Sequence, residues 1–463
     1  MIYIFLAFSA SILLFLWLKE KSLYVIFPWA YVQNFVLAWM YTSGWVSRGS
    51  CQGLLIIKEF LLLWLFFHFL PKMRVCGGGK WLFPLKILAV FTGWCFLRYF
   101  GAVLLQGQSA LANLWTLRVF SFPLQILVVA VGVAFAKPTF AKRFVRHMAY
   151  FVSIVALAGI VVYLLPDLNF WRDHVNVAQY NADVKGESGD NSVLQQQLSG
   201  EDSQEAEEGL PGNARGRDEF AFISPFRAIG TVCDAVGFGH LVAFPLLLLA
   251  FCAPSGWKHQ ILAGMTAIAL FLTFTRSAWI FVAISVVFVL LRCRRYKLVF
   301  GSLALIILGL AVWTPMSELY SDSLAFLSWT NPQEGHTQGL VWLYKEGLWN
   351  WRNVLGQGLD AEVYEGGYGI ILIRFGFPAL ISSLMFFFAI YRALQNNSYS
   401  GTPVFLVAQA APLAMVVTMN TSYYPFSFIS YLLPWFVIGT CLALVAREKY
   451  LKYGESHELA ANN

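Results

Sequence analysis

The chain has 463 residues, 58% of them hydrophobic and only 12% charged, with a formal net charge of +7. Soluble globular domains carry about 25% charged residues, so this composition excludes an ordinary soluble enzyme. The surplus cations sit in short clusters between apolar runs, which is the pattern of a membrane protein's loops and not of a nucleic-acid surface.

Many apolar runs approach or exceed the roughly 20 residues that a helix needs to cross about 30 Å of hydrocarbon. They do not alternate in polarity, which excludes a barrel. The expected fold class is therefore all-α, a polytopic transmembrane helix bundle of about 12–13 spans, because a helix satisfies its own backbone inside lipid.

In chain order, residues 1–166 are the N-terminal transmembrane helices, with spans at 1–18, 23–42, 53–70, 82–105, 111–136 and 147–166. The first run is apolar from its first residue and is followed by Lys19 and Lys21, so it reads as a retained span and not a cleaved leader. Residues 167–224 form an acidic outer loop. Its middle, Asn181 to Glu219, is too polar to bury a core and is expected to be largely disordered. Residues 225–313 hold spans at 229–252, 259–274, 277–291 and 298–313. The 259–291 run is long for one crossing and short for two, which suggests a hairpin at Thr275-Arg276-Ser277 that dips into the outer leaflet. Residues 314–366 are a second outer loop, rich in Trp and Tyr, in which Gln338 to Asn350 could lie as a helix on the membrane surface. Spans at 367–390, 403–421 and 427–446 complete the C-terminal transmembrane helices of 367–446. Residues 447–463 are a cytoplasmic tail.

Charge sets the expected sides. Lys19, Lys21, Lys72, Arg74, Lys80, Lys137, Lys142, Arg143, Arg146, Lys258, Arg292, Arg294, Arg295, Lys297, Arg392 and the tail cations fall on one side, expected to be cytoplasmic. The intervening short loops have almost none. The seven cysteines follow no metal or disulfide spacing, and no metal or cofactor is expected. His174 and His240 are lone histidines, read as hydrogen-bonded packing residues in preference to metal ligands.

Against that background the informative residues are cations inside the spans. Arg98 and Arg118 flank the turn near Gln108 almost symmetrically, so both lie about a dozen ångströms below it. Lys58 beside Glu59, Arg374, Arg276 and Arg227 fall in the same outer half. The bland alternative is snorkelling, with each long side chain reaching headgroups. The positive-inside rule, however, favours such residues at the cytoplasmic surface, not the outer one. A cationic site open to the outer leaflet suits an anionic lipid headgroup, above all a pyrophosphate, which guanidinium groups bind in bidentate fashion while keeping their charge.

Three segments then resemble the O-antigen ligase and Wzy-like polysaccharide polymerase superfamily. Arg227-Ala-Ile-Gly-Thr-Val with Gly237-Phe-Gly239 is similar to its arginine–glycine segment. Leu272-Thr-Phe-Thr-Arg276-Ser-Ala-Trp279 is similar to its Thr-Arg-Ser signature. Leu355-Gly-Gln-Gly-Leu359, followed by Gly367-Tyr-Gly-Ile-Ile-Leu-Ile-Arg-Phe-Gly376, resembles its Gly-x-Gly loop and next span. The resemblance covers Arg227 to about Ser382. It implies a GT-C-like membrane glycosyltransferase, with undecaprenyl-pyrophosphate-linked glycan and membrane lipid as partners. Other polysaccharide assembly proteins are further expected partners, and nucleic acid is not one.

On that resemblance Arg227 and Arg276 hold the pyrophosphate, with Arg98, Arg118, Arg374 and Arg352 as further binding candidates. Glu365 stands where ligases of the family carry a histidine and becomes the candidate general base. His336, Asp360 and Glu362 are lower-ranked bases. The departure at Glu365 tilts the expectation towards a polymerase of lipid-linked repeat units in exopolysaccharide or O-antigen assembly. The alternatives are an O-antigen ligase acting on lipid A core, or a lipid-linked glycan transporter or flippase. The expected location is the bacterial cytoplasmic (inner) membrane, with the site facing the periplasm.

Overall fold

Continuous Leu-, Ile-, Val- and Phe-rich runs without period-2 alternation leave the backbone one economical arrangement in lipid. The computed structural model describes residues 2–75, 82–164, 230–232, 235–253, 256–273, 275–295, 354–359, 367–395, 397–419 and 424–461, with isolated positions at 175, 180, 183, 184 and 298. Among the described residues the regular elements are all helical. The principal helices are α1 (Ile2–Leu18), α2 (Leu23–Thr42), α3 (Arg48–Phe69), α4 (Phe83–Gln106), α5 (Ala110–Ala136), α6 (Pro138–Leu164), α7 (Ala235–Cys252), α8 (Trp257–Leu272), α9 (Arg276–Arg292), α10 (Gly367–Gln395), α11 (Pro403–Thr418) and α12 (Phe428–Ala461).

Each coincides with an expected span. The span expected at 298–313 lies outside the described residues. Six helices, α3, α4, α5, α6, α10 and α12, contain stretches long and apolar enough to cross a bilayer. The chain is thus a multi-pass helical membrane protein. Helices α7, α9 and α11 are apolar but shorter.

Helix α12 is the axis. It lies along α5, and Gly439 brings the backbones together: a Cβ there would stand 2.6 Å from the Ala130 Cβ. Close approach at small residues is how helices associate where lipid offers no hydrophobic drive. Around this axis α3 joins α1 and α5, α10 joins α4 and α11, and α7 joins α8, α9 and α12. Residues 230–232 dock on α2, with Thr231 Oγ1 donating to the Tyr31 carbonyl at 2.7 Å and Asn34 Nδ2 donating to the Val232 carbonyl at 2.8 Å.

The bundle has two chemically different ends. At one, the cation-bearing loops meet. Lys137 pairs with Glu20, Tyr24 Oη lies 2.9 Å from His147 Nδ1, and Tyr150 Oη lies 2.7 Å from His259 Nε2. Burial would raise the Glu20 carboxyl, but the Lys137 ammonium and the Lys19 charge hold it below the usual carboxylate range.

The opposite end gathers the starts of α7, α9, α10 and α12. Gly367 N donates to the Met419 carbonyl there at 2.8 Å. Near it Tyr180 and Val184 pack between α2 and α3, and Tyr41 Oη donates to Asp183 at 2.9 Å. Asp183 and Val184, inside the stretch expected to be disordered, are thus packed at this end. The rest of the acidic stretch, and Gln338 to Asn350, lie outside the described residues.

The 259–291 run resolves into α8 and α9 of 16 and 17 residues, which meet at Thr273 to Thr275. At about 1.5 Å per residue, sixteen residues span about 24 Å, short of a full hydrocarbon core. Arg276 opens α9 and does not sit at the tip of a turn.

Candidate functional site

Glycines decide how the motif segments pack. Helix α10 is broken at Gly376, whose φ is 81° and ψ −178°. Such a conformation strains any residue with a Cβ. Pro378 compounds the break, since it offers no N–H to the Arg374 carbonyl one turn back. Carbonyls released in this way need donors inside lipid. Gln357 N reaches the Ile373 carbonyl at 2.6 Å, and Trp94 Nε1 reaches the Phe375 carbonyl at 2.7 Å.

The Leu355–Leu359 loop is thus laid across the broken helix, glycine against glycine. A Cβ on Gly356 would lie 2.7 Å from Gly376 N, and a Cβ on Gly376 would lie 2.5 Å from the Val354 carbonyl oxygen. Arg98, one turn beyond Trp94 on α4, donates from Nη2 to the Gly356 carbonyl at 2.9 Å. Arg98, the Gly-x-Gly loop and the Arg374 turn of α10 therefore form one assembly. Its far side abuts the α4–α5 turn, where Gln106 and Gln108 stand beside Gly358.

Arg118 takes a different partner. Its Nη1 donates to Glu59 Oε1 at 2.6 Å, and Lys58 Nζ reaches the same oxygen at 3.3 Å and the Leu55 carbonyl at 2.6 Å. Lys58 is 3% exposed, so the neighbouring carboxylate is what makes its burial tolerable. Among the described residues, two cations thus share one carboxylate oxygen here. Lys58 Nζ also lies 5.3 Å from the Phe428 ring centroid, at the start of α12.

The same start of α12 anchors the arginine–glycine segments. Ser430 Oγ donates to the Gly237 carbonyl at 3.0 Å, and Tyr431 Oη lies 2.9 Å from His240 Nδ1. His240 Nε2 lies 2.9 Å from Ser277 Oγ, next to Arg276. Gly239 lets α7 press on the α8–α9 junction, since a Cβ there would stand 2.9 Å from the Thr275 Cβ. Aromatic rings fill the space between these groups: Phe120 stacks edge-on with Phe375 at 4.8 Å and approaches Phe426 at 5.2 Å, and Phe122 meets Phe428 at 4.8 Å.

Arg98, Arg118, Arg374 and the Arg276 backbone thus lie at one end of the bundle, around the segment from Tyr424 to Tyr431. Arg227, Arg352, Glu365, His336, Asp360 and Glu362 lie outside the described residues, as does His174. The sequence reading did not foresee Glu59 as the bridge between two cations, nor the tie from Ser277 through His240 to Tyr431. A signal for the first was available, because a charged residue inside a span needs a partner. The second joins residues 37 and 191 positions apart in sequence and left no local trace. Among the described residues no group of His, Cys, Asp and Glu could hold a metal.

The Ser277–His240–Tyr431 distances are those of a nucleophile, base and orienting group. Here the orienting group is a neutral phenol and all three side chains are buried, an arrangement suited to holding positions more than to attacking a substrate. Comparison of the chain with family models, curated proteins and solved structures finds no match.

Proposed function

We propose that the protein polymerises lipid-linked oligosaccharide repeat units at the outer face of a bacterial cytoplasmic membrane, as a Wzy-like, GT-C-like glycosyltransferase. The observation that carries the reading is the placement of cations within the spans. Arg98, Arg118 and Lys58 lie at the end of the bundle opposite the Lys- and Arg-rich loops, as do the described parts of the three segments that resemble the O-antigen ligase and polymerase superfamily. By the positive-inside rule that end faces outward. An excess of positive charge under the outer surface suits a lipid pyrophosphate.

In this reaction a hydroxyl of one carrier-bound repeat attacks the anomeric carbon of the chain on a second carrier. The new glycosidic C–O bond forms as the bond from the anomeric carbon to the pyrophosphate oxygen breaks. The hydroxyl proton passes to a carboxylate, for which Glu365 is the first candidate. Undecaprenyl pyrophosphate leaves with the bonding electron pair, its charge offset by Arg276 and Arg227, with Arg98, Arg118, Arg374 and Arg352 as further binding candidates. No nucleotide or metal is required, because the donor's energy lies in its pyrophosphate bond.

In reconstituted membranes, Arg276→Ala is expected to abolish chain formation at unchanged expression, and normal chain lengths from that variant would sink the mechanism. In cells that lack the protein, single repeats left on the carrier mark a polymerase, whereas finished chains there mark an O-antigen ligase.

One observation favours a second reading. Helix α10 is discontinuous at Gly376, and discontinuous helices line the binding sites of many transporters. A lipid-linked glycan flippase would move labelled carrier-linked sugar across vesicles without forming a glycosidic bond.

A further inference from the structure

Ser277, His240 and Tyr431 tie three helices together at a point next to Arg276. A neutral imidazole carries one donor and one acceptor. When the Tyr431 hydroxyl donates to Nδ1, Nε2–H donates to Ser277 Oγ; the other tautomer reverses both bonds. Either way the ring is satisfied at both nitrogens, with the residue 2% exposed. The tie reaches the first turn of α9, whose N-cap position, Thr275, makes no side-chain capping bond. Helix α8 ends at Leu272 and α9 starts at Arg276, so the junction lacks a regular helical ladder to hold it.

Local bonds bridge it, with Trp279 Nε1 donating to the Leu270 carbonyl at 3.2 Å and Thr275 N to Thr273 Oγ1 at 3.3 Å, and further ties come from α7 and α12. Gly239 abuts Thr275 and Thr273, His240 bonds Ser277, and Ser430 and Tyr431 fix the same turn of α7 from the other side. The backbone at Arg276 is therefore tied on its C-terminal side through Ser277 to His240, in addition to the local bonds of the junction.

We propose that His240 is a positioning residue: it locks the first turn of α9 to α7 and α12, and so fixes Arg276 for charge stabilisation as the pyrophosphate leaves. The role rests on the glycan-transfer reading given above. A neutral buried polar tie suits such a task. It is directional, it contributes no charge of its own to compete for the anion, and it is costly to leave half made. Misplacement of a catalytic group by about 1 Å can cost about 10²-fold in rate.

The test is steady-state polymerisation in reconstituted membranes containing the full chain and carrier-linked repeat units. His240→Phe is expected to lower kcat by about 10²-fold with KM nearly unchanged, the mark of an interaction realised in the transition state. His240→Gln, whose amide can reach the Nε2 position and bond Ser277, is expected to restore much of that loss. Ser277→Ala and Tyr431→Phe each remove one hydroxyl at little change in volume. They should reproduce part of the defect and stand in if His240→Phe fails to fold.

A His240→Phe enzyme that turns over normally, or a His240→Gln enzyme no faster than His240→Phe, would overturn the positioning role and leave the glycan-transfer reading standing. Normal turnover by Arg276→Ala would overturn the reading itself, and this role with it.

Discussion

Glu59 shows how a single side chain can decide whether a buried charge is tolerable. It accepts from Arg118 and Lys58 through one oxygen, and Lys58 lies deep among apolar neighbours. Removing one member of a buried ionic group leaves the rest uncompensated, which typically costs about 3–5 kcal/mol. Glu59→Gln is therefore expected to destabilise the detergent-solubilised protein by roughly that amount, as read by thermal unfolding. Adding Lys58→Met should recover part of the loss, because the cation that needed the carboxylate is then gone. A Glu59→Gln protein as stable as the parent would mean that the cluster contributes nothing. His240 and Arg98 follow the same logic with uncharged partners: one satisfies two hydroxyls on other helices, and the other a loop carbonyl.

Among the elements, α10 departs furthest from ideal geometry. A glycine in the left-handed region followed two residues later by proline breaks the helix, and a loop supplies the missing donor. The loop can come so close because it is itself glycine where the two backbones touch. Gly376→Ala should both strain the backbone, by about 1–3 kcal/mol, and push its Cβ into the Val354–Gly356 backbone. Chain formation is expected to fall sharply, together with thermal stability. Gly264→Ala, on α8 with open space around it, serves as the comparison and should leave both unchanged. Equal behaviour of the two variants would show that the crossing of loop and helix is unimportant.

For the whole molecule the governing feature is the asymmetry of its two ends. Cationic loops tie one end together through Lys137–Glu20 and two histidine–tyrosine contacts. At the other end Arg98 donates to a loop carbonyl, and Arg118 and Lys58 share a carboxylate. On the proposed topology, in which positive charge sets the orientation, the first end faces the cytoplasm. Cys293, exposed at that end, is expected to react with a membrane-impermeant maleimide only after the membrane is opened. A cysteine placed by Ser109→Cys at the exposed α4–α5 turn should react in intact cells once the outer membrane is permeable to the reagent. Labelling in the reverse order would invert the topology and remove the outward-facing site.

The positions of the helices were legible in the chain itself, because the length of an apolar run and the placement of Lys and Arg are local properties to which a bilayer responds directly. Rise per residue likewise converts distance from the α4–α5 turn into an expected depth for Arg98 and Arg118. What each side chain would grasp was not legible. Arg98 meets a carbonyl 258 positions away, Arg118 a carboxylate 59 positions away, and His240 a tyrosine 191 positions away. Partnerships of that kind depend on which helix faces become neighbours, and in a chain with nearly uniform apolar surfaces no local pattern marks them. Only the packed bundle decided them, through glycines that let backbones touch and through the demand that every polar group removed from water find a partner.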